Sequence, residues 1–158
     1  MYPPNRLSIM KIEQEIKQKR PFRNSYHKAA VNLIFTNNWL CDKIKKRLKP
    51  YGLTLQQYNM LRILRGAAKP LSTSCIRERM VDKMSDTSRM VERLCQKEWV
   101  ERNACCNDRR KVDVTISPKG LDLILEVESN DVQLEDDMSK LSEDEANQLS
   151  NLLDKLRD

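Results

Sequence analysis

The side chains best suited to chemistry are basic ones, and they lie in two short stretches of the chain. In the first stretch, Arg89 and Arg93 are four residues apart, which places them on one face of a helix. We predict that Ser88, Val91 and Leu94 face inward, and that the outer face carries Asp86, Thr87, Arg89, Met90 and Arg93. Arginine commonly reads guanine, and the hydroxyls of Ser85 and Thr87 can bind phosphates or bases. This face predicts contact with nucleic acid, and the alternative is a solvated helix surface.

The second basic stretch, Asp108-Arg109-Arg110-Lys111, follows the tip of a predicted hairpin. An arginine on such a hairpin can enter the minor groove of DNA. Side chains alternate along a strand, so Asp108 and Arg110 point the same way. We expect Arg110 to read the groove, Asp108 to orient its guanidinium, and Arg109 and Lys111 to contact phosphates. The alternative is a surface ion pair of little energetic weight.

The cysteines, the single histidine and the glycines of the chain form no pattern that indicates catalysis. Cys105 and Cys106 are adjacent at the hairpin tip, and the sequence leaves open whether they form a redox switch or are inert exposed residues. With one histidine, His27, and no Cys-x-x-Cys spacing, we predict no metal site. Three glycines in the whole chain exclude a Gly-rich phosphate loop. We therefore predict neither an enzyme nor a cofactor.

Helices must position the first basic stretch. A long helix with a wide apolar front is predicted from Ser25 to Lys49. Thr54 and Gln57 form a capping box that opens the next helix, which should end near Gly66. Leu71-Ser72 should begin a short helix, and Ser85 should cap a third. Short helices in this order predict a helix-turn-helix.

The periodicity then changes to that of a strand. Val112, Val114 and Ile116 alternate with polar residues, and Val100-Glu101-Arg102 is the expected partner strand. Ser117-Pro118 should begin a long helix that continues through Val132 to Met138, and Ser142 with Glu145 should cap the last helix. The fold class is therefore mainly α with a small two-stranded antiparallel wing. The acids between these two caps are predicted to form a solvated face: Glu126, Glu128, Asp131, Glu135, Asp136 and Asp137.

Charge is distributed unevenly along the 158 residues, whose net charge is +6. Residues 1–50 contain twelve Lys/Arg against three acids, residues 51–120 fourteen against eight, and residues 121–158 three against twelve. A basic body predicts a polyanionic partner, although basic and acidic terminal helices can also pack on each other.

No apolar run approaches the ~20 residues of a membrane span, and five cysteines without framework spacing suit a reducing compartment. We therefore expect a cytoplasmic protein that does not engage a membrane.

Five short strings occur in a recognisable order: Leu71-Ser72, residues 85–94, Val100-Glu101-Arg102, Asp108-Arg109-Arg110 and residues 116–120. In this order they resemble the MarR family of bacterial and archaeal transcription regulators, most specifically over residues 53–121. The resemblance implies a homodimer with interlocking terminal helices, two winged helix-turn-helix modules on a palindromic operator and, commonly, repression relieved by a ligand or an oxidant. Glu98 stands where the family usually has a glycine, which puts a left-handed turn into Trp99 in question.

These features predict a transcription regulator in three parts. Residues 1–50 would hold a basic segment and a long dimerisation helix, residues 51–116 the winged helix-turn-helix, and residues 117–158 the C-terminal dimerisation helices. We predict a homodimeric repressor that binds a pseudo-palindrome in double-stranded DNA, with a small-molecule effector pocket near Trp39, Tyr58 and Leu61. The alternative is a winged-helix module that docks another protein without specific DNA recognition. The operator and the effector are not predictable from the sequence.

Overall fold

The computed structural model describes residues 10–84, 86–105, 108–130 and 135–158, with the backbone alone at 104–105, 108–111 and 135–136. The described helices are α1 (Ile12–Glu15), α2 (Ser25–Leu48), α3 (Leu55–Ala67), α4 (Thr73–Arg79), α5 (Thr87–Gln96), α6 (Pro118–Ser129), α7 (Glu135–Met138) and α8 (Glu143–Arg157). The strands are β1 (Leu71–Ser72), β2 (Val100–Cys105) and β3 (Asp108–Ile116). The architecture is mainly helical with a small antiparallel sheet, as predicted.

The chain divides into two compact units, Met1–Leu40 and Cys41–Asp158, and α2 contributes residues to both. This division does not test the three predicted parts, because compactness within one chain does not reveal which helices bind a second copy. In the described part of the first unit, Ile12 is buried, and Glu13 lies 2.6 Å from the ammonium of Lys28. The rings of Phe22 and His27 meet edge to face at 5.3 Å.

The core of the second unit is built from aliphatic residues of its helices and strands. Its fully buried side chains include Leu48, Leu61, Leu64, Ile76, Leu94, Val114 and Ile124. The predicted capping box of α3 is confirmed, because Thr54 and Gln57 exchange hydrogen bonds of 3.2 and 3.1 Å. The helix ends at Ala67, near Gly66 as predicted, and Ala68 takes the left-handed conformation with φ +50°.

The prediction for Leu71 and Ser72 is wrong, because they form the strand β1 and not the first turn of a helix. Leu71 pairs with Val114 and Ser72 with Asp113, so the sheet order is β1-β3-β2. Ser72 also caps α4, since its hydroxyl accepts a hydrogen bond of 3.2 Å from the Cys75 amide. The strand anchors the start of α4 to the sheet.

The long helix predicted from residue 118 to 138 is wrong. Ser117 caps it and Pro118 begins it as expected, but α6 ends at Ser129, and α7 is a separate helix. Val132 lies outside the described residues.

The last helix, α8, has its predicted capping box of Ser142 and Glu145 and exposes much of its leucine face, with 65% of Leu152 and 69% of Leu156 accessible. Within the described residues, every helix is too short or too polar to cross a bilayer.

Two of the six acids predicted to form a solvated face, Asp137 and Glu128, are paired with cations instead, whereas Glu126 is exposed as predicted. The Asp137 side chain is only 3% exposed and lies 2.9 Å from both Lys43 and Arg47. Glu128 pairs with Arg62 and Arg65. The basic end of α2 and one face of α3 therefore neutralise acids that are distant in sequence. Asp131 and the side chains of Glu135 and Asp136 lie outside what the structure describes.

We expect Asp137→Asn to lower the thermal midpoint at pH 7 by roughly 4 °C, because two cations lose their anion. The hydrogen bond from Lys43, together with the charge of Arg47, holds the pKa of Asp137 below its ordinary value of 3.8. Its stabilising contribution is therefore present above about pH 4 and is lost as the pH falls through the folded-state value. Calorimetry from pH 7 to pH 2.5 should show the two midpoints converging at low pH. Asp154→Asn, which breaks a fully surface pair with Arg157, is the control and should change little.

Candidate nucleic-acid interface

The N-terminus of α5 is capped by Asp86. Its carboxylate accepts a hydrogen bond of 3.1 Å from the Arg89 amide, and the helix begins at Thr87. The prediction that Ser85 is the cap is therefore wrong, and Ser85 itself lies outside the described residues. A carboxylate oxygen is as good a cap acceptor as a hydroxyl, and it also favours the positive end of the helix dipole.

The inward face of α5 differs from the prediction at two neighbouring positions. Thr87 is 5% exposed and joins Val91 and Leu94 in the core, at spacings of four and three residues. Ser88, predicted to face inward, is exposed. Thr87 is therefore too deeply buried to read a base, and Ser88 offers the accessible hydroxyl.

The two arginines of α5 are exposed together, as predicted. Arg89 is 79% exposed, and its Nε lies 3.2 Å from Oδ2 of Asp86. Arg93 is also exposed, and Met90 beside them is partly exposed. Asp86 thus has two roles, since it caps the helix and holds the Arg89 guanidinium near the helix start. A held guanidinium loses less side-chain freedom when it binds a base.

Two cavities flank the start of α5. One, of about 300 Å³, is lined by Thr73, Ser74, Arg77, Asp86, Thr87 and Ser88. The other, of about 270 Å³, is lined by Ser72, Thr73, Ser74, Ser88, Val91, Arg102 and Val112. Their shared lining is rich in hydroxyls, and each has one guanidinium at its border. Hydroxyl and guanidinium groups are the usual donors to phosphate oxygens.

The sequence reasoning missed several of these lining residues: Thr73, Ser74, Arg77, Ser88 and Arg102. A signal was present in the uninterrupted run Ser72-Thr73-Ser74 at a helix start, where hydroxyls and amides both point outward. No comparable local signal marks Arg102. It joins the group only because β2 pairs with β3 beside α5.

The wing is a hairpin of β2 and β3, paired from Val100 with Ile116 to Cys105 with Asp108. Its register is irregular between Ala104 and Cys105. The backbone of Asp108, Arg109, Arg110 and Lys111 begins β3 next to the tip, which confirms their predicted position on the hairpin. The directions of these four side chains remain a prediction. Cys106 lies outside the described residues, so the question of the paired thiols is unchanged.

The turn after α5 keeps a left-handed residue although no glycine is present. Glu98 has φ +60°, its amide donates to the Cys95 carbonyl at 2.9 Å, and the Trp99 amide donates to the Leu94 carbonyl at 3.0 Å. These two bonds form a Schellman motif, which normally favours glycine at this position. Glu98 therefore forms the left-handed turn into Trp99 that a glycine would form at this position. Lys119, 2.6 Å from the Glu98 carboxylate, lowers the pKa of that group.

The predicted effector pocket receives no support from these two cavities. Tyr58 and Leu61 are buried core residues of the second unit, and Trp39 is an exposed residue of the first. None of the three lines either cavity.

Within the described residues, no group of three His, Cys, Asp or Glu side chains could hold a metal ion. Cys41, Cys75 and Cys95 are half-buried and form no disulfide.

Comparison with known proteins gives one consistent result. The model of the MarR family matches residues 53–112. The transcriptional regulator PecS of Dickeya dadantii is 28% identical over an alignment of 152 positions that covers 93% of this chain and 91% of that protein. A cysteine-to-serine mutant of MarR from E. coli, complexed with operator DNA, is 27% identical with a TM-score of 0.70, over 79% of this chain and 91% of that one. The apo form of wild-type E. coli MarR is 29% identical with a TM-score of 0.63, over 79% and 94%.

Proposed function

Because the chain belongs to the MarR family of winged helix-turn-helix transcription regulators, we propose that it is a sequence-specific repressor that binds operator DNA as a homodimer. The observation that carries the proposal is the exposed pair Arg89 and Arg93 on α5, next to hydroxyl-lined cavities at the helix start. The family consists of transcription regulators and not of enzymes.

The proposed complex places α5 in the major groove. Arg89, held by Asp86, reads a base edge, and Arg93 contacts the next base or a phosphate one turn along the helix. Ser74, Ser88 and the guanidiniums of Arg77 and Arg102 bind phosphates and fix the register of α5. The wing places Arg110 in the adjacent minor groove. Support comes from the E. coli relative, whose operator-bound form resembles this chain more closely than its apo form does.

The homodimer is formed by the terminal helices. Leu149, Leu152 and Leu156 on α8 and Leu33 and Ile34 on α2 are exposed apolar residues in the single chain. A second copy would cover such faces and would present two α5 helices to half-sites ~10 base pairs apart. A small effector that favours another spacing of the two helices would release the DNA. We place this activity in the cytoplasm.

The test is selection of binding sites from randomised duplex DNA, followed by a salt titration on the enriched sequence. We expect a pseudo-palindrome, with affinity that falls steeply as salt rises because several phosphates are neutralised. If no sequence is enriched and binding stays weak, the regulator proposal is wrong, and the winged helix binds a protein partner instead.

Arg110→Ala should weaken binding to the selected duplex by ~1–3 kcal/mol without unfolding the protein, because a minor-groove contact is lost. Fluorescence anisotropy at one salt concentration measures the change, and circular dichroism checks the fold. Lys140→Ala, which removes one exposed charge outside the winged helix-turn-helix, is the control and should bind as the wild type does. Equal affinity of wild type and Arg110→Ala would refute the assigned role.

A further inference from the structure

Hydrogen bonds connect the turn that follows α5 to the N-terminal end of α6. Two successive carbonyls after α5, those of Glu98 and Trp99, are both hydrogen-bonded by Ser117. Its hydroxyl donates to Glu98 at 2.6 Å, and its amide donates to Trp99 at 3.1 Å. The Ser117 hydroxyl also accepts the Gly120 amide at 3.0 Å as the cap of α6. One side chain, only 6% exposed, therefore both caps α6 and holds the turn that follows α5.

Gly120 keeps this junction close. A Cβ atom at position 120 would lie 2.1 Å from the Trp99 carbonyl oxygen and 2.9 Å from its carbon. Only a residue without a side chain allows the first turn of α6 to approach the Trp99 backbone in this way. On the exposed side of the same turn, Lys119 pairs with the Glu98 carboxylate.

Both helices at the junction are fixed elsewhere. At its other end, α6 is held on α3 by the ion pairs of Glu128 with Arg62 and Arg65. On the side of α5, Lys97 donates to the Gly52 carbonyl at 2.9 Å, which ties the same turn to the segment before α3. Ser117 and Gly120 hold the junction between these two fixed points.

We propose that Ser117 is a positioning residue that sets the angle of α5 to α6 and thereby the half-site spacing that the dimer accepts. The inference rests on the proposed function, in which α5 reads the major groove and residues 117–158, which include α6, form the C-terminal dimerisation region. Adding one base pair between half-sites increases their separation by ~3.4 Å and rotates one relative to the other by ~35° about the DNA axis. A rigid junction rejects such a site, because only one α5 helix can then engage and the gain from bivalent binding is lost.

The experiment compares the selected palindrome with versions that carry one base pair more or one fewer at the centre. For the wild-type protein we expect affinity to fall about 100-fold at either altered spacing. Ser117→Ala removes the hydroxyl and should reduce this discrimination to about fivefold, mainly through weaker binding at the native spacing. Ser117→Thr keeps the hydroxyl and should retain the wild-type discrimination.

A loss of stability alone would not produce this pattern, because it weakens binding at all three spacings by the same factor. Ser117→Asp separates the two roles further, since a carboxylate can still cap α6 but cannot donate to the Glu98 carbonyl. It should behave like Ser117→Ala in spacing, and it decides the question if the alanine variant does not fold.

The proposal is overturned if Ser117→Ala and Ser117→Asp discriminate between spacings as the wild type does, or lose affinity uniformly. If the wild-type protein selects no palindrome, the proposed function fails and the positioning role fails with it. A wild type that prefers one spacing while both variants keep that preference leaves the regulator intact and refutes only the role of Ser117.

Discussion

Gly120→Ala should lower the free energy of unfolding by about 3 kcal/mol, which is a large effect for the addition of one methyl group. The methyl carbon would stand 2.1 Å from a backbone oxygen of Trp99, and a backbone atom cannot rotate away as the end of a side chain can. Relief requires α6 to move away from the turn, which would stretch the bonds that Ser117 makes. Urea denaturation followed by circular dichroism gives the change in free energy directly.

Gly66→Ala is the matched control for this substitution. Gly66 lies inside α3, and a Cβ atom there would have no heavy atom within 4 Å. Alanine should therefore stabilise the helix by ~0.5–1 kcal/mol, because it restricts the unfolded chain and favours the helical conformation. Equal effects of the two substitutions would show that close approach to Trp99 is not what requires glycine at position 120.

The double substitution Arg89→Ala with Arg93→Ala should weaken binding to the selected duplex by about 1,000-fold, the equivalent of ~4 kcal/mol. Each arginine is exposed and can make a base or phosphate contact, and the loss of two good contacts accumulates. Binding to unrelated DNA should fall much less, since that affinity depends on total charge. Anisotropy titrations on both duplexes give the ratio of specific to non-specific affinity, which should collapse.

The control for that variant removes the same charge from α8, through Lys155→Ala with Arg157→Ala. Arg157 pairs with Asp154 three residues earlier, as Arg89 pairs with Asp86, so the local chemistry is matched. If size-exclusion chromatography shows that this control remains a dimer, similar losses of specific affinity in the two double variants would mean that only overall charge matters. The recognition role of α5 would then be wrong.

Local signals in the sequence predicted those parts of the fold that depend on neighbouring residues. The caps at Thr54, Ser117 and Ser142 are decided by bonds that span three residues, and all three are present. The strand β1 was missed because two residues are too few for periodicity, and only pairing with β3, some forty residues later, makes them a strand. The break between α6 and α7 was missed because the apolar spacing continues across it.

The candidate interface was predictable to a similar degree. The spacing of Arg89 and Arg93 placed them correctly on one exposed face of α5. Thr87 and Ser88 were exchanged because small polar side chains carry little hydrophobic signal, and the buried stripe decides which of them turns inward. Asp137 was assigned to solvent because its partners, Lys43 and Arg47, lie about ninety residues earlier in the chain.

The Lys97 side chain has a spectroscopic consequence. Its ammonium lies 4.2 Å from the centre of the Trp99 ring, and the chain contains only one other tryptophan, Trp39. A cation held against an indole ring interacts with its π electrons, so the emission wavelength of Trp99 depends on that contact. In a Trp39→Phe protein, tryptophan fluorescence, excited selectively over that of the tyrosines, therefore comes from a single ring in the turn after α5. Binding of DNA or of an effector that shifts this turn would change the emission wavelength of Trp99, so binding could be followed without an attached dye.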